Sequence, residues 1–225
     1  MKIFFESMKK YRVVWIFVVA FAILIYVSNE MRLERENIVY SEALDTVLAT
    51  VQNEAFTLRD FAVYVAHQEK QVQDQAYAYD MNDTRKYWNV RTDMGFISQV
   101  ARNEAMSMAI HDELFYQLYQ EYDMKFSEAE LSLIQNNADD FWNDLEDEEK
   151  DVKLGIEQGD VYNTMYKIAC AQKAQMIYAG ILAVDYEDLD YASEEFLDFL
   201  SDYEYKVNDN VLSRLDFGDI TLIHE

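Results

Sequence analysis

Apolar positions follow different rules in different parts of the chain. Val13 to Val27 is an unbroken apolar run of fifteen residues, VVWIFVVAFAILIYV. Between Ala43 and Phe56 the pattern shortens to strand-like pieces. From Leu58 onward Leu58, Phe61, Ala62, Val65, Val72 and Ala76 keep helical spacing. YDMNDTRKY, Tyr79 to Tyr87, is polar and predicts a break. A longer helix follows, with Ile97, Val100, Ala101, Ala105, Met108, Ile110, Leu114 and Leu118 on its apolar side. Ser127 with Glu130 is a capping box, and Leu131, Ile134, Ala138, Phe141 and Leu145 behind it step in helical intervals. LGIEQGDV is the next break, with Asp160 as a candidate cap, and Val161, Met165, Ile168, Gln172, Met176 and Ala179 line a further helix. An acidic, aromatic stretch runs from Val184 to Tyr205. The end predicts a short strand at Val207, a helical turn, and a terminal strand from Phe217 to Ile223.

ATVQNEAFTLRDF, Ala49 to Phe61, is the unusual segment. Val51 and Phe56 flank Gln52-Asn53-Glu54, and Asn53 is the expected turn residue because asparagine tolerates positive φ. Thr57 then offers a hydroxyl cap with Asp60 three positions on. A lone hairpin therefore opens a helical protein. The chain has no proline and only five glycines, which disfavours an all-β sandwich. The predicted fold is mainly α: an N-terminal transmembrane helix, then a helical module with a small β-sheet joining N- and C-terminal strands.

Lys2, Lys9, Lys10 and Arg12 precede the apolar run, which predicts a cytoplasmic tail at 1–12 and a signal anchor at 13–29. A stalk at 30–42 and a module at 43–225 complete the expected division, with the module outside the cell membrane. A cleaved signal is the alternative, although Tyr26 would occupy a critical cleavage position. The formal charge is −24, from 43 acids and 19 bases, and it is −27 without the first twelve residues. Such a surface repels phosphate backbones, so nucleic acid is excluded as a partner. Cys170 stands alone among Ile168, Ala169 and Ala171, and reads as a buried structural thiol.

No catalytic residues, cofactor or metal site are expected. His111, Asp112 and Glu113 are adjacent, and neighbours on a helix do not face one another, so a solvated face is the simpler explanation. Eight acids fall within 139–151, and DYEDLD covers 185–190; neither carries the glycine and alternating oxygens of a calcium loop. The excess of seventeen tyrosines, thirteen phenylalanines and ten methionines is more informative. Flexible thioethers and amphipathic rings suit adaptable binding surfaces. Candidate client-binding residues are Tyr77, Tyr79, Met81, Tyr87, Trp88, Met94, Tyr116 and Tyr119. Phe96 and Phe115 read as core, whereas the aromatics of AYAYDM, Ala76 to Met81, fall two apart and do not.

The order of signals resembles the N-terminal chaperone module of SurA-like and PrsA-like extracytoplasmic foldases. The likeness rests on Val51-Gln52-Asn53, Phe56-Thr57 and Asp60-Phe61, then on Tyr122 to Glu130, Gly155-Ile156 and Asp160-Val161, and last on Val207 and Phe217 to Ile223. Asn53 stands where that family's turn glycine sits, and Gln52 where its asparagine does. The family's parvulin-type isomerase domain has no counterpart, since 43 residues follow Leu182 and they include the returning strand. The resemblance implies a non-enzymatic, membrane-anchored binder of unfolded or partly folded secreted polypeptides, touching lipid only through 13–29. The alternative is a dedicated interaction subunit holding one partner in a membrane or secretion assembly. A remaining option is an enzyme whose catalytic residues are scattered along the chain.

Overall fold

Residues 37–223 are described by a computed structural model. Strand β1 (Val47–Val51) and strand β2 (Glu54–Thr57) form the hairpin, antiparallel, with Val51 opposite Glu54. The positive φ falls on Gln52 (55°), and not on Asn53. In a two-residue hairpin loop the first position carries positive φ in both turn types that match strand twist. Thr57 ends β2 and caps helix α1 (Leu58–Tyr79): its backbone N–H donates to Asp60 Oδ2 at 3.0 Å.

A short helix α2 (Arg85–Trp88) and a two-rung ladder of β3 (Arg91–Thr92) with β4 (Gly95–Phe96) follow. Helix α3 (Ile97–Glu121) is next, then α4 (Glu128–Asp147), whose Ser127 N–H donates to Glu130 Oε2 at 2.7 Å. Helix α5 (Lys150–Leu154) ends at Gly155. There φ is +71°, and a Cβ would lie 2.7 Å from that of Ser41, so no other residue fits without displacement. Helix α6 (Gln158–Leu182) is capped by Glu157. Asp160 sits three positions inside it and accepts the Glu157 N–H at 3.0 Å, closing the box from the inner side.

The acidic stretch after α6 is structured. It forms a 3-10 turn at Tyr186–Leu189 and helix α7 (Glu194–Leu200), whose Phe196 and Leu200 are buried. Strand β5 (Tyr205–Val207) then pairs antiparallel with β1, giving a three-stranded sheet in the order β2–β1–β5. Helix α8 (Asp209–Leu212) follows. The core joins Leu48 and Val51 of the sheet to Phe61 and Val65 of α1, Leu114 and Phe115 of α3, and Cys170 and Ala174 of α6.

Beyond the turn at Asn53 and the cap at Asp160, three further expectations of the fold are corrected. The first is the membrane-spanning fold and the single-pass location that went with it. Among the described residues no helix is long and apolar enough to cross a membrane. The tail at 1–12, the anchor at 13–29 and residues 30–36 of the stalk lie outside the described residues. The described end of the stalk carries Tyr40, a buried core residue whose hydroxyl donates to Leu58 O at 2.6 Å.

The second is the terminal strand. Residues 217–223 join no sheet. Their amides go instead to the carboxylate of Glu69, fully buried on α1: Gly218 N–H at 2.5 Å and Ile220 N–H at 3.2 Å to Oε1, and Thr221 N–H at 2.7 Å to Oε2. The Thr221 hydroxyl donates to Oε2 at 2.5 Å. Gly218 has φ +102° and packs against the Trp88 ring, so the backbone here is neither extended nor open to a side chain. The third is His111, which is buried and not solvated.

Candidate functional site

Of the eight candidate residues, the structure does not make one surface. Trp88 is core: it is 3% exposed, and its indole N–H donates to Gln73 Oε1 at 3.0 Å. Tyr119 is also buried, stacked on Phe126 at 5.4 Å, and burial pushes its phenol up. Tyr116 is half-buried beneath Lys167, whose ammonium lies 5.4 Å from the ring centre. That lysine also reaches Asp60 at 3.5 Å and Glu113 at 3.4 Å, so the group ties α1, α3 and α6 together. Tyr77, Tyr79 and Met81 are exposed at the end of α1, where Tyr79 meets the Tyr87 ring at 5.4 Å. Met94 is exposed in the β3–β4 turn, and Phe96 beside it is 43% exposed, against its expected place in the core.

Cavities of comparable size open on the surface of the described residues, and three of them bear on the candidates. One, of about 380 Å³, includes Tyr77, Lys70, Lys150, Lys153 and Ile223. Its lysines already have partners: Lys70 on Asp144, Lys150 on Glu148 and Lys153 on the Thr221 carbonyl. A second, of about 430 Å³, is a shallow recess beside Thr50 and Tyr205. The third, of about 350 Å³, is where α1, α3, α6 and the 3-10 turn converge, and is the one with a built apolar wall.

Helical spacing makes that cleft. Met108, His111 and Asp112 lie at i, i+3 and i+4 on α3, and Met165, Ile168, Gln172 and Gln175 run along one side of α6. Val63, Tyr64 and His67 come from α1, Phe141 from α4, and Tyr186, Asp190 and Tyr191 from the turn and its exit. Its volume is at the small end of the range for ligand pockets, about 300–1,000 Å³.

The buried edge of the cleft is fixed by hydrogen bonds. Asp112 Oδ2 accepts the Tyr64 hydroxyl at 3.0 Å, and Asp112 Oδ1 lies 2.8 Å from His111 Nδ1. His111 Nε2 lies 3.0 Å from the Leu189 carbonyl. Both ring nitrogens therefore face acceptors. Neither nitrogen is left to act on a substrate. The ring also lies 4.9 Å from Phe115 and 4.7 Å from Phe196, which makes it the pin between α3, the 3-10 turn and α7. Burial, reinforced by Lys70, holds the His67 imidazole below its usual range.

No protein-family model, curated protein or solved structure matches the chain.

Among the described residues, no group of three or more His, Cys, Asp or Glu side chains is placed to hold a metal ion. The cleft went unseen in the sequence because its methionines and isoleucine occupy the same helical stripes as core residues. The one available signal was DYEDLDY, where tyrosines alternate with acids immediately after a long apolar helix.

Proposed function

We propose that this chain is a chaperone-like polypeptide-binding protein that captures apolar, aromatic or basic segments of non-native chains in the α1–α3–α6 cleft. The observation that carries the reading is the composition of that wall. Met108, Met165, Ile168 and Phe141 give an adaptable apolar surface, and Tyr186 and Tyr191 give amphipathic rings at its mouth. The acidic exterior keeps a loaded complex soluble and favours basic clients. The resemblance of Val51 to Phe61 and the following motifs to the foldase chaperone module is in keeping with the same reading. No ATP or isomerase chemistry is part of it.

The test is retention of unrelated unfolded peptides by the full-length chain at physiological salt, paired with a Met108→Gln, Ile168→Gln variant. Broad micromolar retention that the variant loses supports capture in the cleft. Retention unchanged in the variant places binding elsewhere. A dedicated interaction subunit is the second reading, favoured by the tract Tyr77, Tyr79 and Met81, which are 53%, 61% and 74% exposed. Silence across the peptide array would favour it.

A further inference from the structure

The cleft is chemically one-sided. Among the described residues neither lysine nor arginine contributes to its wall, whereas Asp112 and Asp190 both do. The nearest base on α1, Lys70, is paired with Asp144 at 3.1 Å. His67 is held towards its neutral form. Asp112 already accepts the Tyr64 hydroxyl and faces His111 Nδ1, so both its oxygens are occupied. Asp190 is exposed, and among the described residues its side chain receives one long hydrogen bond in the cleft, from Gln175 to Oδ1 at 3.3 Å. The phenols of Tyr186 and Tyr191 are pushed up first by burial and then by carboxylates, with Asp190 acting on both and Glu104 on Tyr191. Two aromatic rings and an under-used carboxylate thus meet at the mouth of an apolar wall. That is the combination that stabilises a desolvated cation on an apolar stem.

We propose that the cleft selects a polypeptide segment by an arginine or lysine side chain, its methylenes against Met108 and Ile168 and its charged head at Asp190, Tyr186 and Tyr191. This rests on capture of polypeptide in the same cleft, and specifies what the captured segment must carry. A purely apolar segment fills the wall but brings no cation to Asp190. A segment with a cation satisfies both.

The probe is a short unstructured peptide with one arginine between leucines, compared with a twin in which citrulline replaces the arginine. Citrulline keeps the shape and removes the charge. Binding to the full-length chain is read by fluorescence anisotropy. The arginine peptide is expected to bind about five- to tenfold more tightly than its twin. Asp190→Asn should abolish that difference. Asp93→Asn, the same charge change at an exposed turn outside the cleft, should leave it intact and so separate local recognition from the general attraction of an acidic protein. Equal affinities for the two peptides, or discrimination that survives Asp190→Asn, overturn the cationic anchor and leave polypeptide capture standing. No binding by either peptide, together with silence across unrelated peptides, overturns both.

Discussion

Glu69→Gln isolates the contact that holds the end of the chain. The carboxylate serves four donors with two oxygens, 2.5 to 3.2 Å away, and is fully buried. Burial leaves this carboxyl raised overall, and the donors from Thr221, Gly218 and Ile220 offset only part of that cost. Glutamine keeps one oxygen and turns an NH2 toward two of the donors. The cheaper orientation places that NH2 at Thr221, whose hydroxyl can rotate to accept while its N–H is orphaned. One buried orphan costs about 1–3 kcal/mol, and losing charge assistance on the remaining bonds adds about 1 kcal/mol. Relief of the buried charge offsets part of this. The expected net loss is about 2–4 kcal/mol, a large share of a typical domain's 5–15 kcal/mol. With a slope of roughly 2 kcal/mol per molar, the urea midpoint should fall by about 1–2 M at unchanged slope. Trp88, packed on Gly218, supplies a fluorescence signal for the same region. Amide exchange at Gly218, Ile220 and Thr221 should accelerate in step. A midpoint within about 0.3 M of the parent, with those amides still protected, would refute the account of this carboxylate as the anchor.

Other substitutions test separate parts of the fold. Gly218→Ala would place a methyl 2.7 Å from the Trp88 ring at φ +102°, and should cost about 2–4 kcal/mol by urea unfolding. Cys170 is buried, and burial pushes its thiol up to about 11, so a disulfide reagent at neutral pH should label it only after denaturation. Glu130 is held down at about 2 by the Ser127 amide and Lys173, against an ordinary 4.5. Its folded pKa is depressed, so its contribution is full above 4.5 and lost as pH falls toward 2. The stability gap between the parent and Glu130→Gln should close across that window in acid titrations followed by circular dichroism. Tyr79→Ser with Met81→Ser should leave the unfolding free energy from urea titration within about 0.5 kcal/mol of the parent, because both side chains are exposed.

What was legible in the sequence is what neighbours decide. Thr57 with Asp60, and Ser127 with Glu130, meet across three residues, and their boxes form where the pattern placed them. Asp160 was placed on the right turn but in the wrong seat: the helix starts three residues earlier, with Glu157 at the cap position, and Asp160 accepts the Glu157 N–H from inside the first turn. The helical stripe at Met165, Ile168 and Gln172 looks alike whether its far side meets another helix or solvent, so the period gave the helix and concealed the cleft. His111 beside Asp112 looked like a solvated pair, since side chains one apart diverge on a helix. The bond that buries it comes from Leu189, 78 positions away.

The end of the chain shows how a correct period can mislead. Asp219-Ile220-Thr221-Leu222-Ile223 alternates well enough to suggest a strand with its apolar side chains inward. In the structure Thr221 is 1% exposed and Ile223 is 73% exposed, the reverse of the hydrophobic order. Alternation says which side chains prefer the interior, but it does not say where the backbone N–H groups find acceptors. Here a carboxylate 152 positions earlier supplies the acceptor that a neighbouring strand would have given, and it draws the hydroxyl of Thr221 inward with the amides. Glu69 sits in AHQEKQVQ, among polar residues that mark a solvent-facing turn of helix. Neither half of the pair reveals the other until they meet, and the buried acid decides the conformation of the segment that the apolar pattern had assigned to a sheet.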